Sequence, residues 1–383
     1  MEYLHRHIHD NMLKQLGKGK AILLLGARQT GKTTLIRNLI KEENLDVVYL
    51  TGDDDFDVEL FANPRRDMWN QILGSKKAVF IDEAQRITHI GRSIKLLLDQ
   101  RTDVQVFLSG SSSFQLANLL EEPLTGRKYE YSLYPLSFSE LSAHHGVLEE
   151  RKLLENRLLY GSYPQIITDL SHAQENLEQL SDSYLYRDLL SYEGIRKPKL
   201  LEDLLKALAY QVGNEVTPSE LASLLGVSRG TVESYLSLLE QAQIVFCLQA
   251  FSTNQRNEIK KGRKYYFWDT GIRNAVIRGF DPIASRTDVG ALWENYLIAE
   301  RRKLLMYRGS GEQFFWRTTD QMVVDYIERT FSKLSAYECK WNDKKQSRVT
   351  KAFSNRYPEA SLATITPATY AQFLGEEESD SGR

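Results

Sequence analysis

Short apolar runs and amphipathic stretches alternate along the first third of the chain. Ala21–Leu25, within "AILLLGARQTGKTTLIRNLIKE", is a continuous apolar run, the pattern of a strand buried on both faces. Leu35, Ile36, Leu39 and Ile40 then recur at helical spacing. Three more strand-sized runs end in polar residues: "DVVYLTGDDD" at Asp53–Asp55, "KAVFIDEAQ" at Asp82 and Glu83, and "VQVFLSGSSS" at Ser109. Ile90, Ile94, Leu97 and Leu98 predict an amphipathic helix between the last two. This alternation predicts a parallel sheet with ligands at the carboxyl ends of its strands.

The pattern changes after residue 140. Roughly 141–205 reads as helices. "TPSELASLLGVSRGTVESYLSLLEQ" predicts two helices with a tight turn at Gly226. Pro218 opens the first, striped by Leu221, Leu224 and Leu225. Ser228 caps the second, which buries Val232, Leu236 and Leu239. "IVFCLQAF" and "KYYFWD" follow as strands around a basic loop, the wing of a winged helix. "LWENYLIAERRKLLMY" is a further helix, and "QMVVDYIER" and "KLSAYECKW" predict a hairpin joined by "TFS". Tyr337, Cys339 and Trp341 are read as that last strand's buried face, with Glu338 and Lys340 on the other.

Chemistry enters at the first strand. Gly26, Gly31, Lys32 and Thr33 fit G-x-x-x-x-G-K-[ST], and strand, glycine loop and helix follow in the order that a phosphate cradle needs. Gly26, Ala27, Arg28, Gln29, Thr30, Gly31, Lys32, Thr33 and Thr34 are the expected nucleotide-binding residues. Lys32 would reach the β- and γ-phosphates and Thr33 would ligate Mg²⁺. Asp82 matches the Walker B carboxylate, and Glu83 is placed to polarise the attacking water. Ser109 is a candidate sensor; Asp53–Asp55 reads as a solvated acidic loop. A positive charge near the γ-phosphate is also needed; Arg127 is the candidate, ahead of Arg28 and Arg187.

"GARQTGKTTL", "VFIDEAQ", "LSGSSS", "LTGR" and "YPLSFSE", in that order, resemble the AAA+-like ATPases of bacteria and archaea that carry a C-terminal restriction-endonuclease-like core. "YGSYPQII", "YLYRDLL", "YYFWDTGIR" and "LWENYLIAE" extend the resemblance along nearly the whole chain. Ala27 departs from it, since proline is usual there. The resemblance implies a sheet with the P-loop strand in the middle, and it strengthens Arg127 as sensor or finger. The expected fold is α/β: a P-loop NTPase parallel sheet (1–140), a helical lid (141–205), a winged helix-turn-helix (206–275), a restriction-endonuclease-like α/β domain (276–375) and an acidic tail (376–383).

If the C-terminal hairpin turns between residues 331 and 332, Asp325 lies opposite Glu338. Like charges so opposed are unfavourable unless a cation lies between them. With Lys340 this is a D…E-x-K pattern. The resemblance implies that Asp325, Glu338 and Glu294 hold Mg²⁺ or Mn²⁺. The alternative is an inactivated core with a salt bridge between Glu338 and Lys340.

Net charge is −2, so DNA binding would need a local patch. The wing supplies one in Arg256, Lys260, Lys261, Arg263 and Lys264, whereas the second helix sets Arg229 against Glu233 and Glu240. Two cysteines make no disulfide framework; Cys247 and Cys339 read as core residues, and a cytoplasmic location follows as the default. No apolar run approaches the length of a membrane span. His5, His7 and His9 alternate, but exposed terminal histidines rarely hold a metal. The expected activity is Mg²⁺-dependent ATP hydrolysis. Three uses stay open: DNA cleavage, DNA binding without cleavage, or regulation or defence directed at a protein partner or oligomer, with the nuclease core as scaffold.

Overall fold

In a computed structural model, all residues are described except 1–2, 64, 66, 112–119, 121–122, 186–196, 252–261, 310, 318–322, 332, 343–348 and 376–383. The chain forms two compact units, one of residues 5–134 with 241–243, the other of 1–4, 135–240 and 244–383. No described helix is long and apolar enough to cross a membrane.

The first unit is a five-stranded sheet of β1 (Ala21–Leu25), β2 (Val47–Thr51), β3 (Ala78–Asp82), β4 (Gln105–Gly110) and β5 (Lys128–Ser132). Its order is β2-β3-β4-β1-β5, and every pairing is parallel. All five residues of β1 are buried, as a strand covered on both faces requires. The P-loop strand is therefore interior, but β4 is the central strand and β1 lies beside the edge strand β5. β5 alternates Lys128, Glu130 and Ser132 with tyrosines, so its apolar run is too weak to see beforehand. The sheet core includes Leu23, Leu25, Val79, Ile81, Val106 and Leu108.

The second unit holds a mixed seven-stranded sheet. Its strands are β6 (Glu215–Val216), β7 (Val245–Ala250), β8 (Arg263–Phe267), β9 (Glu312–Arg317), β10 (Val323–Thr330), β11 (Lys333–Cys339) and β12 (Ser361–Ile365). The order is β12-β11-β10-β9-β7-β8-β6. The two helices expected before β7 are present as Pro218–Leu225 and Arg229–Gln241. Thr217 and Glu220 form a capping box, and Gly226 takes the left-handed conformation between them. Leu221 and Ala222 form the first helix's buried face; Leu224 is 63% exposed, because one short helix cannot bury a full stripe.

Residues expected to split at 275 share one sheet instead, since β7 pairs parallel with β9. The segment expected as a lid belongs to this unit, its helices Leu154–Tyr160 and Pro198–Tyr210 packing on the helix Thr270–Ile277. The β10–β11 hairpin pairs Thr330 with Lys333 and Tyr326 with Tyr337, as the turn after 331 requires.

Just before the helix Val289–Arg308, Asp288 accepts from buried Arg273 at 2.6 Å and from Arg286 at 2.8 Å. Burial works against the Asp288 charge, but the two guanidiniums prevail and hold its carboxyl at about 2. A depressed carboxylate stabilises the fold above its unfolded value near pH 4 and loses that contribution as pH falls toward 2. Asp288→Asn should therefore cost ~1 kcal/mol at pH 7, discounted for the partly exposed carboxylate. Urea unfolding should show the gap to wild type closing between about pH 4 and pH 2.

Candidate active site

β1 delivers the chain into a loop that glycine makes possible. A Cβ on Gly26 would stand 2.5 Å from the Leu133 carbonyl oxygen, so no larger residue fits there. Gly31 (φ +97°) then turns the chain into the helix Lys32–Glu42, whose first N–H groups face the loop. Thr30 Oγ1 closes the loop by donating to the Ala27 carbonyl at 2.8 Å. Lys32 is buried, and its ammonium donates to the carbonyls of Gly26 (2.9 Å) and Ala27 (3.0 Å). Arg28 is partly buried; Gln29 (φ +59°) and Thr34 are exposed.

The ends of β3 and β4 meet this loop. Thr33 Oγ1 donates to Asp82 Oδ2 at 2.7 Å, and Ser109 Oγ donates to Asp82 Oδ1. The Glu83 N–H bonds the same Oδ1 at 3.1 Å. Glu83 has a left-handed backbone (φ +47°), and its carbonyl packs where a Cβ on Gly52 would lie at 2.3 Å. Its carboxylate Oε2 accepts from Gln85 Nε2 (2.6 Å) and Ser111 Oγ (3.1 Å). Gln85 and Ser111 escaped the sequence reading, although both lie inside its motifs.

Arg127 does not join this cluster in its own chain. Its carbonyl accepts from the Ala21 N–H where β1 begins, so it sits at the end of the sheet opposite Gly26. Its guanidinium pairs with Asp99. Arg187 lies outside the described residues. The acidic run builds a helix start: Asp54 caps Asp55–Leu60 and Asp53 pairs with Arg86 at 2.6 Å. His5, His9 and Asp10 gather their ligand atoms within 4.8 Å. Yet His9 is buried and its Nε2 meets Glu42 at 2.8 Å, which pins the helix His7–Leu13 to the helix Lys32–Glu42.

Residues 18–142 match a family model described as AAA domain. Residues 18–142 thus form an AAA-type P-loop ATPase domain. Two further models, described as domains of unknown function, match residues 151–282 (DUF8612) and 289–377 (DUF4143). An uncharacterized protein of Methanocaldococcus jannaschii is 24% identical over 370 residues, 90% of this chain and 80% of that one. One of Mycobacterium tuberculosis is 27% identical over 324 residues, 82% of this chain and 69% of that one. The Walker-type ATPase of Pyrococcus abyssi is similar in structure, with a TM-score of 0.50 at 16% identity. That match covers 72% of this chain and 96% of the other, and it speaks for fold alone.

A second cluster lies in the seven-stranded sheet of the second unit. Continuing the β10–β11 register by one residue sets Asp325 opposite Glu338. Asp325 Oδ2 accepts from the Cys339 N–H at 2.9 Å, and Lys340 Nζ stands 4.0 Å from Asp325 and 3.8 Å from Glu338. Glu338 is 2% exposed, and neither carboxylate oxygen has a hydrogen bond. The alternation reading fails here: Glu338 is more buried than Tyr337, because both faces of β11 are covered. Glu294 accepts from Lys264 Nζ (3.0 Å) and the Tyr266 hydroxyl (2.6 Å). Burial pushes its carboxyl up against the pull of Lys264, and the Asp325 charge pushes it further.

Lys264 is thereby corrected from a wing contact to an interior residue, 4% exposed, because a strand position aimed at Glu294 cannot also reach solvent. Arg263 is partly buried; Arg256, Lys260 and Lys261 lie outside the described residues. Arg229 is exposed and paired with Glu233 at 2.9 Å.

Arg6, another residue without a sequence signal, is buried and donates to the carbonyls of Thr30 (2.9 Å) and Tyr134 (2.6 Å). Hydrogen bonds from a charged donor contribute roughly 1.5–3 kcal/mol. Arg6→Met should loosen the loop and weaken ATP-analogue binding about tenfold, read by calorimetry on protein that still melts cooperatively.

Proposed function

We propose that the loop Gly26–Thr34 binds ATP and that Glu83 orients and polarises the water that attacks its γ-phosphate. The bonded set Thr33–Asp82–Ser109 at the mouth of a glycine-shaped loop carries this reading. Lys32 exchanges its two loop carbonyls for phosphate oxygens on binding. The N–H groups at the start of its helix supply the remaining donors. Thr33 and Asp82 fit a hydrated Mg²⁺, because a hydroxyl and a carboxylate 2.7 Å apart present only hard oxygen donors. Bound magnesium would neutralise phosphate charge. Ser109 holds Asp82 in place, and Gln85 and Ser111 fix one oxygen of Glu83, leaving the other for water. Arg127 serves at the site of a neighbouring subunit.

The C-terminal unit, in this reading, acts on phosphodiester backbones. Asp325 and Glu338 are the cation ligands, Glu294 supports them, and Lys340 stabilises charge on the phosphate. Support comes from the buried Glu338 carboxylate, which accepts no hydrogen bond and stands 3.8 Å from Lys340, a setting that fits a cation. Pro218–Leu225, Arg229–Gln241 and the β7–β8 hairpin act as a winged helix that meets DNA through the wing rather than the second helix. ATP turnover governs this unit. The second reading is a regulator of a protein partner in which the same core is a scaffold. The Lys264–Glu294 bond favours it by satisfying one carboxylate without metal.

Lys32→Ala should abolish ATP binding, and Glu83→Gln should bind ATP and lose at least 100-fold in turnover. Full hydrolysis by Glu83→Gln would overturn its role. Manganese-dependent nicking of plasmid DNA should disappear in Glu338→Ala while ATP turnover persists. If the wild type never nicks DNA, the scaffold reading takes over.

A further inference from the structure

Among the described residues, five formal charges crowd the C-terminal cluster: the carboxylates of Glu294, Asp325 and Glu338, and the ammoniums of Lys264 and Lys340. One negative charge is left over, and Glu338 has no hydrogen bond in a setting 2% exposed. An unbalanced buried charge is costly. A divalent cation alone over-corrects the sum to plus one. A cation together with a singly charged phosphate diester brings it to zero.

The two lysines do not contribute alike. Lys340 is 32% exposed on its side chain, so water screens it. Lys264 is held inside, between Glu294 at 3.0 Å and the ring of Phe315 at 5.4 Å, and its charge acts across a low-dielectric interior. It also comes from a separate part of the chain. β8 lies on the helix-turn-helix side of the sheet, and Asn295 clamps its end by exchanging both amide bonds with Phe267 at 2.8 Å.

We propose that Lys264 couples divalent-cation binding to phosphate binding at this site, making each weak without the other. With Lys264 in place, only cation and phosphate together balance the charge. Without it, a cation alone does. The coupling rests on Asp325 and Glu338 being cation ligands, as proposed above.

The probes are Mn²⁺ and dimethyl phosphate, a singly charged diester. The protein is the full chain in a Lys32→Ala background, so that the P-loop takes up no phosphate. Paramagnetic resonance counts free Mn²⁺, and the C-terminal component is the part that Glu338→Gln removes. Dimethyl phosphate should tighten that component at least fivefold. Lys264→Gln keeps an amide donor for Glu294 but no charge. It should bind Mn²⁺ about tenfold tighter without phosphate, and its phosphate effect should fall below twofold. Lys264→Arg, which keeps the charge, should retain the parent's coupling, and cooperative melting checks that each variant is folded. Parent-like affinity and coupling in folded Lys264→Gln would overturn the role of Lys264 alone. Absence of any Glu338-dependent Mn²⁺ binding would overturn the cation site and the coupling with it.

Discussion

The second unit depends on one helix, Val289–Arg308, that must satisfy several polar groups away from water. Glu294 takes Lys264 and Tyr266, Asn295 takes both amide groups of Phe267, and Glu300 takes the Phe138 N–H and Lys303. Except for Glu300–Lys303, which lies within the helix, each bond reaches a segment distant in sequence. Leaving any of these groups unsatisfied would cost more than its bond contributes, so the helix fixes where β8 and the segment around Phe138 must lie. Asp288, held by Arg273 and Arg286, fixes where that helix begins.

The first unit obeys a different constraint. Asp82 stands at the end of a buried parallel strand and accepts from Thr33, Ser109 and the Glu83 N–H. Three donors from three segments converge on one carboxylate, which locks the P-loop helix and the end of β4 to β3. Close approaches at Gly26 and Gly52 are the steric counterpart, since a Cβ at either would collide with backbone.

Local patterns carried much of this. The strand–loop–helix around Lys32, the acidic end of β3, and the hairpin register that faces Asp325 with Glu338 all follow from residues close in sequence. The edges were less legible. β5, β6, β9 and β12 have short or mixed patterns whose burial depends on neighbours. Arg127 looked catalytic because its motif gives no direction; only the parallel β1–β5 pairing puts it at the far end of the sheet. Lys264 looked like a wing contact because charge along a chain says nothing of which way a strand faces.

The sequence by itself determined the P-loop, because a phosphate cradle needs glycine, lysine and hydroxyl at fixed spacing within one turn of chain. It also determined the hairpin that opposes two carboxylates, because antiparallel register follows from where the turn falls. Only the tertiary structure decided that the helix-turn-helix and C-terminal segments share one sheet, through the parallel contact of β7 with β9. Only it brought Lys264 to Glu294, 30 residues away, and Arg6 to Tyr134, 128 away. Such pairings are set by burial and by the need to satisfy polar groups inside it, and no local pattern encodes them.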